Sequence, residues 1–418
     1  MYIEGEVRKQ ATAAKKAEIK LALLSTETKN KILLKMAEGL MNSIDAILEA
    51  NAVDMQAGRE NGLKEAFLDR LLLTDDRIAA IAQGLRSVVA LQDPVGEILS
   101  GRTLSNGLTI TKVRVPLGVI GIVYESRPNV TADAIALCIK SGNAVVLKGG
   151  SEAVHSNKII SDILAQAGEK AGMPAGAIQF INITDRAAVN ELIHADGLID
   201  VIIPRGGAGL IQSVVKNASV PVIETGAGVC HTYVDEYANV DMAVEIAFNA
   251  KVNRPSTCNS METLLVNKNI AAKFMPAMLA KYKEAGVTII GDEATRKFAP
   301  EAQAVTEEDW ATEYNDLRLS VKIVADMDEA IAHIRKFGTG HSEAIVTDNY
   351  ENARKFQAMV DAAAVYVNAS TRFTDGFEFG FGAEIGIATQ KLHARGPLAL
   401  PELTTFKFLV NGNGQIRK

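Results

Sequence analysis

The sequence predicts an α/β protein built on parallel sheets, and three observations support this prediction. Short apolar strands and helices alternate between residues 119 and 223, the alternation resumes after residue 230, and 48% of the 418 residues are hydrophobic while 22% are charged. Apolar strands joined by helices imply right-handed crossovers and a sheet covered on both faces. At roughly 100–200 residues per domain the length predicts two or three domains, with a boundary near Gly226.

The predicted elements follow in blocks along the chain. Residues 5 to about 92 are predicted to be helical, because Ala17, Leu21 and Leu24 share one helical face. Asn106-Gly107 between two alternating runs predicts a β-hairpin over 97–115, which either serves association or is an ordinary hairpin. The first α/β block has predicted strands at 119–123, 144–147, 178–183, 198–203 and 220–223, with helices at 132–140, 153–167, 187–194 and 210–217. The second has predicted strands at 232–234, 263–266, 344–346 and 365–367, helices from about 240 and 271, a helix capped by Asp326 or Asp328, and a last strand after Leu403.

Charge and cysteine content argue against several classes of protein. A net charge of −6 does not favour a broad basic face for nucleic acid. No uncharged apolar stretch approaches the roughly 18–20 residues that span a bilayer, and residues 1–6 lack the plan of a signal peptide. Three cysteines make no disulfide framework, and no CxxC or HxxxH pairing predicts a metal site. We therefore expect a cytoplasmic protein that acts on a small molecule, without nucleic acid or membrane.

The loops after the predicted strands are rich in glycine and carry polar groups. Lys148–Ser151 follows the second strand and Gly206–Gly209 follows the fourth, at the sheet edge where ligands of such folds bind. Glycines let the backbone approach phosphate oxygens, although glycine at a strand-to-helix turn also has a purely geometric explanation. The run from Gly207 has Gln212 where the dinucleotide fingerprint has its third glycine, so the prediction is a modified nucleotide fold.

Among the three cysteines, Cys258 has the surroundings of a nucleophile. It lies in the polar loop Asn253–Ser260, where Arg254 and nearby amides would favour the thiolate. Cys138 lies in an apolar helix and is predicted to be a core residue. Cys230, beside His231, lies between these two cases: an inert cysteine is favoured, but less strongly than for Cys138. From the residues alone, nucleophile and inert cysteine remain equally open for Cys258.

At these residues the chain resembles the aldehyde dehydrogenase superfamily, from the N-terminal helices to the last strand. The resemblance rests on Pro116–Gly121 leading to Asn129, on the Glu224-x-Gly226 turn, and on Cys258 downstream of that turn. Four further motifs resemble the reductases of this superfamily that act on an acyl phosphate: Tyr124–Val130, Val146–Glu152, Arg254–Asn259 and Lys391–Pro397.

The resemblance implies an aldehyde dehydrogenase-like fold in three parts. These are a Rossmann-like parallel-sheet cofactor domain (1–96 and 116–226), an α/β catalytic domain (227–402) and a small β oligomerisation element (97–115 and 403–418). It implies a homo-oligomer that carries out the NADPH-dependent reduction of L-glutamyl 5-phosphate to L-glutamate 5-semialdehyde, with release of phosphate, in proline biosynthesis. The sequence leaves open whether a glutamate kinase is a partner that hands over the labile acyl phosphate directly.

The resemblance also implies catalytic roles. Cys258 would attack the acyl phosphate and form a thioester, which hydride from the nicotinamide would reduce. The Asn129 amide and the backbone N–H of Cys258 would stabilise the oxyanion. Glu224 would orient other groups or be structural, because phosphate release needs no activated water. Arg127 and Arg254 are the cations proposed for the phosphate, with surface ion pairs as the alternative for each.

For the cofactor, the resemblance places Lys148 at the adenosine end and Gly206, Gly207 and Gly209 at the pyrophosphate. Ser151 stands where NAD-preferring relatives often carry a carboxylate, which favours NADPH. A hydrolytic NAD-dependent aldehyde dehydrogenase and a catalytically silent relative are the alternatives to the reductase.

Overall fold

The computed structural model describes residues 2–125 and 127–417, in two compact units. The first unit comprises the chain up to Glu224, Gly380–Gly386 and the chain from Leu398; the second comprises Thr225–Phe379 and Ile387–Pro397. Residues 380–386 and 398–402, which we assigned to the catalytic domain, therefore belong to the first unit. Ser126, part of a motif above, lies outside the described residues. In the described chain, no helix combines the length and apolar character needed to cross a bilayer.

Helices and strands alternate through most of the chain. The helices are α1 (Tyr2–Leu21), α2 (Thr26–Met41), α3 (Ile44–Glu60), α4 (Glu65–Leu71), α5 (Asp75–Ala90), α6 (Pro128–Lys140), α7 (Val154–Lys170), α8 (Ala187–Ile193), α9 (Ala208–Asn217), α10 (Val240–Val252), α11 (Lys268–Glu284), α12 (Glu293–Arg296), α13 (Met327–Phe337) and α14 (Tyr350–Met359). The strands are β1 (Ile98–Thr103), β2 (Thr109–Pro116), β3 (Val119–Tyr124), β4 (Ala144–Lys148), β5 (Ile178–Phe180), β6 (Val201–Arg205), β7 (Cys230–Val234), β8 (Met261–Asn267), β9 (Thr288–Gly291), β10 (Gln303–Ala304), β11 (Arg318–Val324), β12 (Ser342–Val346), β13 (Ala364–Val367), β14 (Ile387–Ala388), β15 (Gly396–Pro397) and β16 (Thr404–Asn411).

The first unit contains a parallel sheet with the strand order β5-β4-β3-β6. The predicted strand at 198–203 starts only at Val201, and the strand predicted at 178–183 ends at Phe180. The strand predicted at 220–223 is wrong: the segment makes one isolated bridge, between Val222 and Ile202. Pro221 has no N–H with which to continue a ladder.

The strand order creates a switch point at β3. The chain runs from β3 through β4 to β5 on one side and then places β6 on the other side of β3. In open parallel sheets, ligands bind at such a point, beyond the carboxyl ends of the strands. The N-terminal helices support this edge, because Asp54 of α3 accepts the backbone N–H of Ser156 at 2.8 Å and so caps the start of α7.

The second unit is built on a parallel sheet with the order β10-β9-β11-β8-β7-β12-β13. Alternate residues of its central strands pack on opposite faces: Val234 of β7 lies in the core with α10 and α11, whereas Tyr233 packs with α13 and α14. Asp326, rather than Asp328, caps α13 by accepting the N–H of Glu329. Strands β9 and β11 are additions to the predicted elements.

The predicted hairpin and last strand are confirmed as a three-stranded antiparallel sheet, β1-β2-β16, in the first unit. Gly107 has φ +88°, a conformation that glycine adopts without strain, and its N–H closes the turn on Leu104 O at 2.9 Å. Every residue of β1 is exposed, as is β16 after Thr404.

Candidate active site

Three loops of the first unit meet at the carboxyl edge of its sheet. In the ladder, Val123 of β3 pairs with Lys148 of β4, and Tyr124 pairs with Arg205 of β6. The residues that follow these strands are therefore neighbours at the switch point. They include the predicted cofactor-binding residues Lys148, Ser151, Gly206, Gly207 and Gly209.

Lys148 is a buried lysine at the end of β4. It is 5% exposed, its Nζ donates to the carbonyl of Gly149 at 2.7 Å, and burial lowers its pKa while the charge of Glu152 acts in the opposite direction. Ser151 is exposed, and its Oγ lies 3.5 Å from Oε2 of Glu152. Glu152, which follows Ser151 in the sequence motif, was not assigned to the predicted site, and its carboxylate lies beside Ser151.

The turn before α9 already binds a carboxylate. The N–H of Gly207, the N-cap residue of α9, donates to Oε2 of Glu125 at 2.9 Å. A Cβ on Gly206 would lie 2.6 Å from the carboxyl carbon of Glu125, so a side chain there would displace this carboxylate from the turn. A helix N-terminus favours anions, and the carboxylate stands in for the type of group that a pyrophosphate presents.

Asn129 lies in the first turn of α6, which begins with Pro128. Its Nδ2 donates to Oδ2 of Asp133 at 3.1 Å, one helical turn on. Burial raises the pKa of Asp133 to about 6, and the hydrogen bond from Asn129 opposes this rise. Arg127, just before the helix, is half-buried.

The turn after Glu224 is fixed within the second unit. The N–H of Gly226 donates to Ile387 O at 3.2 Å, and a Cβ at this position would lie 2.5 Å from Oγ1 of Thr389. Gly228 is more tightly constrained, since its Cβ would lie 1.4 Å from the carbonyl oxygen of Cys258. Glu224 itself is partly exposed and is the last residue of the first unit before this turn.

Cys258 lies in the loop between α10 and β8. Its side chain is partly exposed, whereas Cys138 and Cys230 are fully buried, and burial raises the pKa of both of those thiols. The predicted core position of Cys138 is confirmed. Cys230 packs beneath the loop, with its Sγ 3.2 Å from the carbonyl oxygen of Cys258.

The loop around Cys258 is held by hydrogen bonds on both sides. Thr257 Oγ1 donates to Arg254 O at 2.8 Å, and the Oγ1 of Thr371 donates to Asn259 O at 2.7 Å. Arg254 is exposed, and its side chain makes no ion pair with any residue in the described part of the chain. A rigid loop with a partly exposed thiol and an uncommitted cation can carry out nucleophilic attack on an anionic substrate.

Two further residues contact this loop and its neighbouring turn. The guanidinium of Arg372 donates to Thr257 and Asn259, which flank Cys258. Oε1 of Glu313 accepts the N–H of Gly228 at 3.0 Å. Arg372 was not among the predicted site residues; the only signal for it was a basic residue after a predicted strand, in Ser370–Asp375.

The chain matches a family model described as the aldehyde dehydrogenase family over residues 3–304. Gamma-glutamyl phosphate reductase from Moorella thermoacetica is 58% identical over 418 residues, all of this chain and all of that protein. The protein of the same name from Clostridium novyi is 56% identical over 417 residues, again covering 100% of both chains.

Solved structures agree with this result. The crystal structure of gamma-glutamyl phosphate reductase from Thermotoga maritima matches with a TM-score of 0.97 and 49% identity, over 99% of this chain and 100% of that one. An acetylating aldehyde dehydrogenase from Geobacillus thermoglucosidasius matches with a TM-score of 0.71 at 20% identity, over 100% of this chain and 98% of that one, which bears on the fold alone. The predicted fold class is confirmed.

Proposed function

The chain belongs to the aldehyde dehydrogenase family, and we propose that it reduces L-glutamyl 5-phosphate to L-glutamate 5-semialdehyde, with release of phosphate, in proline biosynthesis. As a member of this family it is an oxidoreductase that uses a nicotinamide cofactor and acts on a small molecule. The observation that carries the proposal is the 58% identity, over the whole chain, to a protein named for the reduction of gamma-glutamyl phosphate.

Cys258 supplies the covalent step. Its thiolate attacks the carbonyl carbon, the bond from that carbon to the phosphate oxygen breaks, and phosphate leaves with the electron pair. The product is a thioester on Sγ. A bound nicotinamide supplies the hydride that reduces this carbonyl, and the collapse of the adduct releases the aldehyde and regenerates the thiolate.

The residues around Cys258 favour this chemistry. The exposed guanidinium of Arg254, four residues before the thiol, provides a positive charge for the substrate phosphate. Arg127 is the second proposed phosphate ligand. Asn129 and Glu224 stay predictions as catalytic groups. For Glu224 we expect that the Glu224→Gln variant retains substantial reduction, since no water has to be activated.

The residues at the end of β4 and before α9 fit an anionic dinucleotide. The amide of Gly207 binds a carboxylate, Gly206 lies against that carboxylate without a side chain of its own, and the buried Lys148 supplies a cation. These residues would hold the pyrophosphate and the adenosine end. We propose NADPH as the cofactor, because the Ser151 hydroxyl can donate a hydrogen bond to a 2′-phosphate and the charge of Lys148 offsets that of Glu152.

The decisive experiment is the reverse reaction. We expect oxidation of glutamate 5-semialdehyde with NADP⁺ to require added phosphate and to be abolished in Cys258→Ser. Oxidation that proceeds equally without phosphate would establish the hydrolytic alternative instead. Michaelis constants for NADPH and NADH then test the cofactor, and a clear preference for NADH would refute our assignment.

We also propose that the sheet formed by β1, β2 and β16 mediates homo-oligomerisation. Phe406 and Phe408 are 46% and 58% exposed on β16, and this eight-residue strand forms an edge of the sheet. Exposed apolar edge strands pair readily with other chains. We expect Phe408→Glu to lower the mass measured by light scattering, whereas Leu23→Glu, at an exposed apolar residue elsewhere in this unit, leaves the mass unchanged. An unchanged mass in Phe408→Glu would contradict the proposal.

A cytoplasmic location and a glutamate kinase partner complete the proposal, since the acyl phosphate is labile and must be made close to the enzyme that consumes it. Transfer without escape can be tested by adding a hydrolytic trap for the free acyl phosphate to the coupled reaction. Full inhibition by the trap would refute direct transfer.

A further inference from the structure

Arg372 makes an unusual set of contacts with the nucleophile loop. Its Nη1 donates to Oγ1 of Thr257 at 2.8 Å and to Oδ1 of Asn259, and its Nε donates to Oδ1 of Asn253 at 3.3 Å. Thr257 and Asn259 are the two sequence neighbours of Cys258. One guanidinium therefore binds the side chains of the residues on both sides of the thiol.

The contacts are reciprocal, so Arg372 is itself held in place. Nδ2 of Asn259, a residue 5% exposed, donates to Arg372 O at 3.3 Å and to Thr374 O at 2.9 Å. Ser370 caps the short 3₁₀ turn Thr371–Phe373 by accepting the N–H of Arg372. The cysteine loop and the turn after β13 thus form one hydrogen-bonded body.

The charge of Arg372 acts on the same sulfur. Burial lowers the pKa of Arg372, the neighbouring charge of Arg254 lowers it further, and the interactions with Asp375 and Cys258 in their ionised forms raise it. An arginine remains protonated in proteins. Because the interaction between two groups is mutual, the positive charge of Arg372 favours the thiolate of Cys258.

We propose that Arg372 is the positioning residue of the nucleophile: it clamps Thr257 and Asn259 on either side of Cys258 and places a fixed positive charge within electrostatic range of the sulfur. The inference rests on the proposed role of Cys258 as the attacking group. Arginine suits this task because its planar fork presents several donors in a fixed geometry, whereas the lysine ammonium is a point charge on a flexible chain.

Other charged and titratable groups surround the loop and contribute to its titration. They are Arg254 on the loop itself, Asp375 on the turn after β13, Glu313 bound to the N–H of Gly228, Cys230 and His231 on β7, His341 beside the Sγ of Cys230, Glu262 on β8 with its ion-pair partner Lys251 on α10, Glu343 on β12 and Tyr366 on β13. Substitution of Arg372 leaves all of these groups in place, so a change in the titration of Cys258 reports on Arg372.

The test measures the rate of iodoacetamide alkylation at Cys258 against pH, by mass spectrometry of the cysteine peptide, in the full-length protein. We expect Arg372→Gln to raise the pH midpoint by about one unit, since an opposite charge at close range shifts a pKa by about 1–3 units. Arg372→Lys keeps the charge and should keep the midpoint. Its kcat in the phosphate-dependent reaction should nevertheless fall about 10-fold or more, because lysine has no counterpart of the Nε that donates to Asn253, and its flexible chain does not hold one nitrogen against Thr257 and Asn259 in a fixed position.

The matched control is Arg354→Gln, at an exposed arginine on α14 that contacts only the ring of Tyr350 among the described residues; it should match the wild type in midpoint and kcat. A wild-type midpoint in Arg372→Gln, or a wild-type kcat in Arg372→Lys, would overturn the proposal. If Arg372→Gln fails to fold, Arg372→Lys alone still tests the proposal, because it should keep the pH midpoint of the wild type while its kcat falls. If Cys258 of the wild type resisted alkylation at every pH, the proposed function itself would be overturned. This result is distinct from the two variant results that would overturn only the role of Arg372.

Discussion

Gly228→Ala is the substitution that most directly probes the packing behind the nucleophile. The added Cβ would lie 1.4 Å from the carbonyl oxygen of Cys258 and 2.8 Å from its Cα, whereas real Cβ contacts do not fall below 3.0 Å. The difference is 1.6 Å for the oxygen, and the obstructing atoms are backbone, so the loop carrying Cys258 and the turn at Gly228 must move apart by a comparable distance. A displacement of about 1 Å at a reacting group can lower the rate about 100-fold.

We therefore expect Gly228→Ala to lower kcat by about 100-fold or more and to destabilise the fold by about 1–3 kcal/mol, the usual effect of overpacking. The assay is phosphate-dependent oxidation of glutamate 5-semialdehyde, run beside urea denaturation. Gly5→Ala is the control, because a Cβ at Gly5 of α1 meets no atom within 4 Å. Activity within about 3-fold of the wild type in Gly228→Ala, together with unchanged stability, would refute the reasoning.

Three further predictions concern the first unit. Glu152→Gln removes the carboxylate beside Ser151, which would repel a 2′-phosphate. We expect the KM for NADPH to fall several-fold in steady-state assays and the KM for NADH to change little. An equal effect on both KM values would contradict the placement of the 2′-phosphate at Ser151. Glu125→Gln removes the charge of the carboxylate that accepts the Gly207 N–H. If this carboxylate competes with the cofactor pyrophosphate for that N–H, NADPH titrations at low salt should show tighter binding in the variant. Weaker binding would contradict the competition. Burial raises the pKa of Asp133 to about 6, so its contribution to stability is fully present below the unfolded pKa near 4 and is lost as the pH rises through 6. In urea denaturation, Asp133→Asn should therefore be more stable than the wild type at pH 8, by at most about 3 kcal/mol, and equally stable at pH 4. The same difference in stability at both pH values would rule out a contribution from the titration of Asp133.

The fold was largely predictable because its strands are buried on both faces. Val119–Tyr124 and Ala144–Lys148 are continuous apolar runs bounded by glycine or proline, a pattern typical of parallel strands. The segment 220–223 has the same composition, but it contains Pro221, and whether a proline interrupts a ladder depends on partners that the sequence does not reveal. Strand β11 (Arg318–Val324) was not predicted, although Asn315-Asp316 just before it is a turn signal and Asn315 has φ +55°.

In the candidate site, the sequence predicted residues whose own side chain has a recognisable reactivity, such as a cysteine, but not residues that act through contacts made by the fold. Cys258 could be distinguished from Cys138 because their local sequences differ in polarity, and polarity follows burial. Arg372 is more than 100 residues from Cys258 in the sequence and meets its loop only because β13 and β8 belong to one sheet. Likewise, the tight contact at Gly228 is between two backbone segments, and the presence of a glycine in the sequence does not reveal which other segment lies against it.

The most direct test of the mechanism is to trap the acyl group on the protein. The enzyme is incubated with glutamate, ATP and a glutamate kinase, without reduced cofactor, and the cysteine peptides are analysed by mass spectrometry. We predict a glutamyl group on Cys258 that hydroxylamine removes and that is missing from Cys258→Ser. Turnover in the complete reaction without any adduct on Cys258, or with the adduct on a different residue, would contradict a thioester mechanism.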